Sequence, residues 1–301
     1  MNDSKERAKT VAITGATGLL GRHLCDYFQT KGWHVNALVR DVSKYPFSKE
    51  GIHVFKCVLP DNIDLQSIKS VDVLIHCAYM TRFTNLEEAK RVNEGGTARL
   101  LNAARTAGVA QFVFVSSRAA RPSTQSYYAQ SKYKLESMMD MSRDLIIRPG
   151  LILANDGGLF HRIVNLVHRL PVIPAFGGGR QNFRTIHIDD LCKVFDWSIE
   201  NNLRGIVVAA DPQGITMKEM LRTVLDRLGK RKIILYVPVM PFILILQLLE
   251  YLKLKLPVSS ENLRGLLNRD EIDSFSPENI KHVEVKIRGA LESIEDLIKA
   301  V

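Results

Sequence analysis

Tyr128 and Lys132 stand four residues apart in the run Tyr128-Ala-Gln-Ser-Lys132. On a helix that spacing puts both side chains on one face. A tyrosine with an ordinary pKa of about 10 is a poor base at neutral pH. An ammonium group beside it stabilises the tyrosinate and eases proton exchange with a bound oxygen. Tyr127 competes for that role, but four residues beyond it stands Ser131, so the spacing selects Tyr128. Eleven residues before Tyr128, the β-rich run Phe112-Val-Phe-Val-Ser116-Ser117 ends in two hydroxyls.

A second constellation lies near the start of the chain. Val11-Ala-Ile-Thr-Gly15-Ala-Thr-Gly18-Leu-Leu-Gly21 sets three glycines between a β-rich run and an amphipathic helix. Glycine permits the tight turn and lets the backbone approach a pyrophosphate closely. The helix that follows presents unpaired N–H groups and a partial positive charge to an anion. At the first strand–helix junction of a βαβ unit, this pattern points to dinucleotide binding. The next strand ends Ala37-Leu-Val39-Arg40-Asp41. Arg40 suits a ribose 2′-phosphate through charge-assisted, bidentate bonds, which predicts NADP(H). Asp41 turned inward would favour NAD(H), which stays as the alternative cofactor.

These groups need a rigid frame. Continuous apolar runs predict strands over 10–14, 35–39, 53–58, 73–76, 112–116 and 145–148, as expected for strands covered on both faces. Helices are expected over 19–31, 86–107 and 127–141, with Gly32 and Gly108 ending the first two. A strand over 205–209 is expected to rejoin the sheet, and residues 213–301 read as mostly helical. The fold class is therefore α/β: a Rossmann-type doubly wound parallel sheet with a smaller, mostly helical C-terminal cap. The expected domains interleave, with 1–150 and about 187–212 forming the dinucleotide-binding part. Residues 151–186 and 213–301 are left for the substrate cap.

Several motifs in this order resemble the extended branch of the short-chain dehydrogenase/reductase superfamily, the NAD-dependent epimerase/dehydratase family. They are Thr14-Gly-Ala-Thr-Gly-Leu-Leu-Gly21, His76-Cys-Ala78, Asn93-Glu-Gly-Gly-Thr97, the strand ending at Ser116-Ser117, Tyr128-Ala-Gln-Ser-Lys132 and Arg148-Pro149-Gly150. The resemblance covers about residues 10–212. It implies a proton-exchanging Tyr128, a Lys132 that also holds the nicotinamide ribose, and a Ser117 that orients the substrate oxygen. It further implies cofactor contacts at Gly15, Thr17, Gly18, Leu19, Leu20, Arg40, Val58, Leu59, Cys77, Ala78, Tyr79, Ser116, Tyr128, Lys132, Pro149 and Gly150. Val58 stands where the family usually has an aspartate, so the adenine contact there is expected to be backbone or absent. Tyr79 replaces a small residue, and the short stretch before Tyr128 carries Arg118 and Arg121, for which phosphate contact and simple solvation are both open. The His187-Ile-Asp189-Asp190 segment matches a family stretch that packs a helix start, and His76 reads as a satisfied strand residue.

The composition is that of a globular chain of 301 residues, 46% hydrophobic and 24% charged, with a formal charge of +9. The positive excess lies mainly before residue 213, without the interleaved aromatics or motifs of a nucleic-acid binder, so no nucleic-acid partner is expected. Cys25, Cys57, Cys77 and Cys192 show neither paired nor metal-ligand spacing. Reduced thiols, no metal and a cytoplasmic location follow. The polar start, of both charge signs, does not read as a signal peptide. Residues 233–249 carry no charge, but Pro238 and Pro241 interrupt the run, leaving less than the roughly 20 residues of a spanning helix. The segment 233–256 is read as cap core or as one wall of a cleft for apolar substrate parts, with a membrane-surface contact as the lesser alternative. The expected function is NADP(H)-dependent hydride transfer to or from a carbonyl or carbinol, with a nucleotide sugar and an apolar ketone both open as substrate. The resemblance extends to a subfamily that includes an accessory subunit of respiratory complex I, which binds a nucleotide without known dehydrogenation. A non-catalytic scaffold or redox sensor is therefore the alternative.

Overall fold

The computed structural model describes residues 7–45, 49–122, 126–238, 244, 247 and 280–299. They pack as two compact units, each assembled from several stretches of chain. The first comprises 1–115, 135–147 and 195–207, and the second 116–134, 148–194 and 208–301.

In the first unit, strands β1 (Thr10–Thr14), β2 (His34–Val39), β3 (Ile52–Val58), β4 (Asn62–Ile63), β5 (Val73–His76), β6 (Gln111–Val115), β7 (Leu145–Pro149) and β12 (Gly205–Ala209) lie in the order β12-β7-β6-β5-β1-β2-β3-β4. Strands β3, β2, β1, β5, β6 and β7 pair in parallel, whereas β4 runs antiparallel to β3. The register sets Ile13 between Ala37 and Ile75, and Val113 between Ile75 and Leu145. All of β5 and β6 is buried, which explains why these strands show no polar alternation. Helix α1 (Leu19–Thr30) buries Leu20, Leu24 and Phe28 along one face. One side of the sheet is sealed by Ala12, Leu74, Phe112, Phe114 and Ile146 against Leu100, Ala104, Leu135 and Met139.

Two predicted helices come out differently. The stretch 86–107 contains α2 (Leu86–Lys90), a π-helical turn (Arg91–Gly95) and α3 (Gly96–Thr106). The wider turn contains Asn93, whose side chain bonds Met80 in another segment, and π turns often fall at functional positions. Helix α4 (Tyr127–Glu136) stops five residues short of the expected end. Asp140 accepts hydrogen bonds from the Ser142 amide and hydroxyl, while Asp144 accepts from the Asp140 amide, and these side chains replace the helical ladder.

The second unit holds β8 (Leu151–Leu153) parallel to β11 (Thr185–His187), and β10 (Asn182–Phe183) antiparallel to β13 (Ile215–Thr216). Strand β9 (Val172–Phe176) lies parallel to β14 (Ile233–Val237). Helices α5 (Gly158–Arg169), α7 (Met217–Arg227) and α8 (Ala290–Lys299) supply Phe160, Val164, Val167, Leu221, Val224, Ile294 and Leu297 to a core that includes Leu153 and Phe183. A capping box between Thr216 and Glu219 starts α7. Residues 213–301 thus contain strands as well as helices. Of the segment 233–256, residues 239–256 lie outside the described residues, apart from Leu244 and Gln247. No helix among the described residues is long and apolar enough to cross a membrane.

Helix α6 (Ile188–Glu200) begins in this unit, where Asp190 is 1% exposed. Burial raises its pKa, yet the Arg288 guanidinium and amide, bonding it at 2.8–3.0 Å, outweigh that effect and hold it below the usual value. The same Arg288 donates to His187 Nδ1 at 2.9 Å. Burial first, then the Arg288 charge, lower the His187 pKa against the opposing pull of Asp189, Asp190 and Asp296. The unfolded chain therefore binds this proton more tightly, so the contribution of neutral His187 is present above about pH 6.5 and is lost as the pH falls below it. Denaturant titrations at about pH 7 and pH 5 should show a smaller acid-induced loss in His187→Gln than in the parent chain. An equal loss in both would contradict this assignment.

Candidate active site

In the first unit the strand order reverses between β1 and β5, and a crevice opens at the carboxyl ends of such strands. The cleft there has a volume of about 350 Å³. Gly15 at the end of β1 has φ +67°, and a Cβ on it would lie 2.9 Å from the backbone N and Cα of Ala78. A Cβ on Gly21 would lie 2.2 Å from the Gly15 carbonyl oxygen. The first glycine thus lets the turn press against the end of β5, and the third lets α1 pack onto the turn. Helix α1 has no side chain capping its first turn and no acidic residue there, so its N-terminal dipole faces no built-in anion.

The loop after β5 is held by a buried polar chain whose proton directions can be assigned throughout. Thr97 Oγ1 lies 2.6 Å from the Asn93 carbonyl and can only donate to it. It must then accept from His76 Nε2, 2.9 Å away. That leaves Nδ1 of a neutral imidazole as an acceptor, 2.7 Å from Thr14 Oγ1, which donates to it. Thr14 Oγ1 in turn accepts from the Ala78 amide at 3.1 Å. The Asn93 side chain accepts from the Met80 amide and donates to the Met80 carbonyl, at 2.7 and 3.1 Å. His76 therefore fixes structure from a fully buried position, and the loop 77–80 is pinned to β1 and to the π turn.

Of the residues expected to touch a cofactor, Gly15, Thr17, Gly18, Arg40, Leu59, Cys77, Ala78 and Tyr79 line this cleft. Leu19 and Leu20 are the first residues of α1 and fall outside its lining, with Leu20 buried in the helix face. Val58 also falls outside it: Val58 pairs with Asn62 in the β3–β4 ladder, while Cys57 and Leu59 on either side form the wall. The cleft further includes Thr14, Met80, Thr81, Arg82, Val92 and Asn93, which were not singled out as contacts. The i, i+4 pair Asn93 and Thr97 was the available signal for the last of these. Arg40 is exposed at the cleft, whereas Asp41 accepts from the Ser43 hydroxyl and amide at 2.7 and 3.1 Å. Those bonds and Lys44 hold the Asp41 carboxyl below its ordinary pKa and tie it to its own 3₁₀ turn. A glycine cradle, an open helix terminus and a cleft-edge arginine together fit a nicotinamide dinucleotide.

The residues expected to exchange protons belong to the second unit. Tyr128 and Lys132 lie in the first two turns of α4, with Tyr128 half-buried and Lys132 3% exposed. Ser116 and Ser117 follow β6, 2% and 8% exposed. Ser117 Oγ accepts from the Ala119 amide at 3.1 Å, and its own proton has no acceptor among the described residues. Ser117 lines a small pocket with Pro149, Gly150, Arg118, Asn182 and Arg184. Gly150 is required there, since a Cβ on it would lie 2.2 Å from the Arg184 carbonyl oxygen. Among the described residues no group of His, Cys, Asp or Glu could hold a metal.

Comparison with known proteins extends this picture. The NAD dependent epimerase/dehydratase family matches residues 11–209, more than half of the chain. A ceramide reductase of Caulobacter vibrioides is 32% identical over 235 residues, covering 76% of this chain and 73% of that protein. A 3-diazoavenalumate denitrifying reductase of a Streptomyces species is 26% identical over 242 residues, covering 67% and 76%. Among solved structures, a UDP-N-acetylglucosamine 4-epimerase of Methanobrevibacter ruminantium superposes with a TM-score of 0.71 at 16% identity, covering 98% of each chain. A UDP-glucose 4-epimerase of Thermus thermophilus in complex with NAD gives 0.63 at 19%, covering 86% and 98%. At these identities the solved structures speak for the fold, and the family match with the 32% relative speaks for descent. The chain thus belongs to the NAD-dependent epimerase/dehydratase family and is an NAD(P)-dependent oxidoreductase or epimerase.

Proposed function

We propose that this chain is a cytoplasmic, NADP(H)-dependent oxidoreductase acting on a carbonyl or carbinol of a substrate with an apolar body. The observation that carries the reading is Ser117. Its oxygen is occupied by the Ala119 amide, which leaves its proton to be donated to a substrate oxygen. A protein that only sensed a dinucleotide would have no use for such a donor together with Tyr128 and Lys132. A bound nicotinamide supplies or takes up the hydride. Ser117 holds the substrate oxygen, Tyr128 gives it a proton during reduction and recovers one during oxidation, and the Lys132 charge favours the tyrosinate left behind. The apolar substrate body is supported by the ceramide reductase relative and by the apolar side chains that β14 leaves in solvent: Ile233, Leu235 and Tyr236. The preference for NADP(H) is supported by Arg40 at the cleft and by the engagement of Asp41 in its own turn.

Following NADPH absorbance across a series of alkyl ketones, with UDP-glucose as the competing class, tests the reading. Ketone-dependent oxidation is expected, and turnover of UDP-glucose alone would contradict it. Tyr128→Phe should lower kcat on the ketone by about 100-fold or more while NADP+ affinity stays within a small factor. Full activity in that variant would remove Tyr128 from the chemistry. In calorimetric titrations the parent chain should bind NADP+ more tightly than NAD+. Arg40→Ala should weaken NADP+ by roughly 10-fold or more, the scale of one charged hydrogen bond, and leave NAD+ nearly unchanged. Equal binding of the two cofactors by the parent chain would contradict the assignment.

A further inference from the structure

Strands β9 and β14 pair in parallel, with Ile233 opposite Val172 and Leu235 opposite Pro174. Side chains alternate between the two faces of such a pair. One face turns inward: Ile173 and Ala175 belong to the core of the second unit, and Ile234 packs against it. The other face carries Val172, Pro174, Ile233, Leu235 and Val237, all apolar. Ile233 is 69% exposed, Leu235 54% and Val172 36%, while Pro174 and Val237 are half-buried. A strand face open to water ordinarily carries polar residues, and a grouped apolar face marks contact with another apolar surface.

Both strands enter the pair from the same end, and that end is cationic. Lys230-Arg231-Lys232 leads directly into Ile233, and Arg169, the last residue of α5, stands three positions before Val172. Lys230, Arg231 and Arg169 are exposed. The side chains of these three and of Lys232 have no ion pair or hydrogen bond among the described residues. The helix dipole favours Arg169 in the last turn of α5, but the triplet starts beyond α7, where that influence has faded. No acidic residue occurs between Asp156 and Asp189, nor between Asp226 and Glu250. Asp226, four residues before Lys230, has no ion pair among the described residues. After the triplet the sequence stays uncharged from 233 to 249.

We propose that this sheet face docks on the surface of an anionic lipid bilayer. Lys230, Arg231, Lys232 and Arg169 meet the headgroups, and Ile233 and Leu235 enter the boundary between headgroups and acyl chains. Binding of this kind adds apolar burial to the attraction between basic residues and anionic lipid, and this face presents both side by side. A second copy of the chain could cover the apolar face, but it would bring the same cations to the contact. The assignment does not depend on the hydride-transfer reading, although a substrate with an apolar body would gather at the same surface.

Flotation of the full chain with lipid vesicles tests the proposal. Vesicles of equal parts phosphatidylcholine and phosphatidylglycerol are expected to carry the chain to the lipid fraction, and vesicles of phosphatidylcholine alone far less. Added salt should weaken the binding. The triple variant Lys230→Gln, Arg231→Gln, Lys232→Gln should bind the anionic vesicles about 100-fold less tightly. Leu235→Ser and Ile233→Ser should each bind them about 10-fold less tightly. These positions are largely open to solvent, so the variants should keep the parent's thermal transition, and the triple variant its NADP+ affinity. No flotation with anionic vesicles overturns the proposal, as does equal flotation with both vesicle types. Undiminished flotation of the triple variant or of both serine variants places the lipid contact elsewhere in the chain and overturns it too. Dimerisation that Leu235→Ser abolishes, without lipid binding, gives the face to a second copy instead. Vesicle binding as expected, in a chain that oxidises NADPH with no ketone, supports the docking surface and refutes the oxidoreductase reading.

Discussion

The candidate cofactor site depends on one close approach, that of the first turn to the end of β5. Gly15 brings the turn within reach of Ala78, where any larger residue would collide with backbone. Thr14, immediately before it, completes the contact by accepting the Ala78 amide and donating to His76. From there the polar chain runs through Thr97 to Asn93, and Asn93 clasps both polar groups of Met80. Each buried donor in this chain has a defined acceptor, so the loop 77–80 has one arrangement and not several. The cleft inherits its shape from that arrangement.

In the second unit, the turn from Ser117 to Arg121 leaves a hydroxyl proton and part of a guanidinium without hydrogen-bond partners among the described residues. Buried polar groups in native structures are normally paired, and departures cluster where a ligand supplies the missing partner. Arg40 and Arg82 stand at the dinucleotide cleft, and Arg118 and Arg184 stand at the pocket beside Ser117.

Much of this architecture was legible in the residues. The parallel strands announced themselves because strands buried on both faces need uninterrupted apolar runs, and β5 and β6 have nothing else. The glycine turn was legible because only glycine fits where backbone meets backbone, as the Ala78 contact at Gly15 demonstrates. What escaped were features set by tertiary partners. The π turn at Arg91–Gly95 contains Asn93, whose bond to Met80 is a contact no helical period encodes. Helix α4 ends early because Asp140 and Asp144 capture amides that a helix would have used. At Val58, where a backbone contact or none was expected, the flanking Cys57 and Leu59 line the cleft.

The central claim is that the turn at Gly15 cradles a dinucleotide, and the most direct measurement compares the parent chain with Gly15→Ala by calorimetric titration of NADP+. A methyl group there must displace the Ala78 backbone and adopt an unfavourable positive φ. The account predicts that the parent chain binds NADP+ and that Gly15→Ala, still folded by its thermal transition, binds about 100-fold more weakly or worse, the scale of roughly 3 kcal/mol. Undiminished NADP+ affinity in a folded Gly15→Ala chain would contradict it.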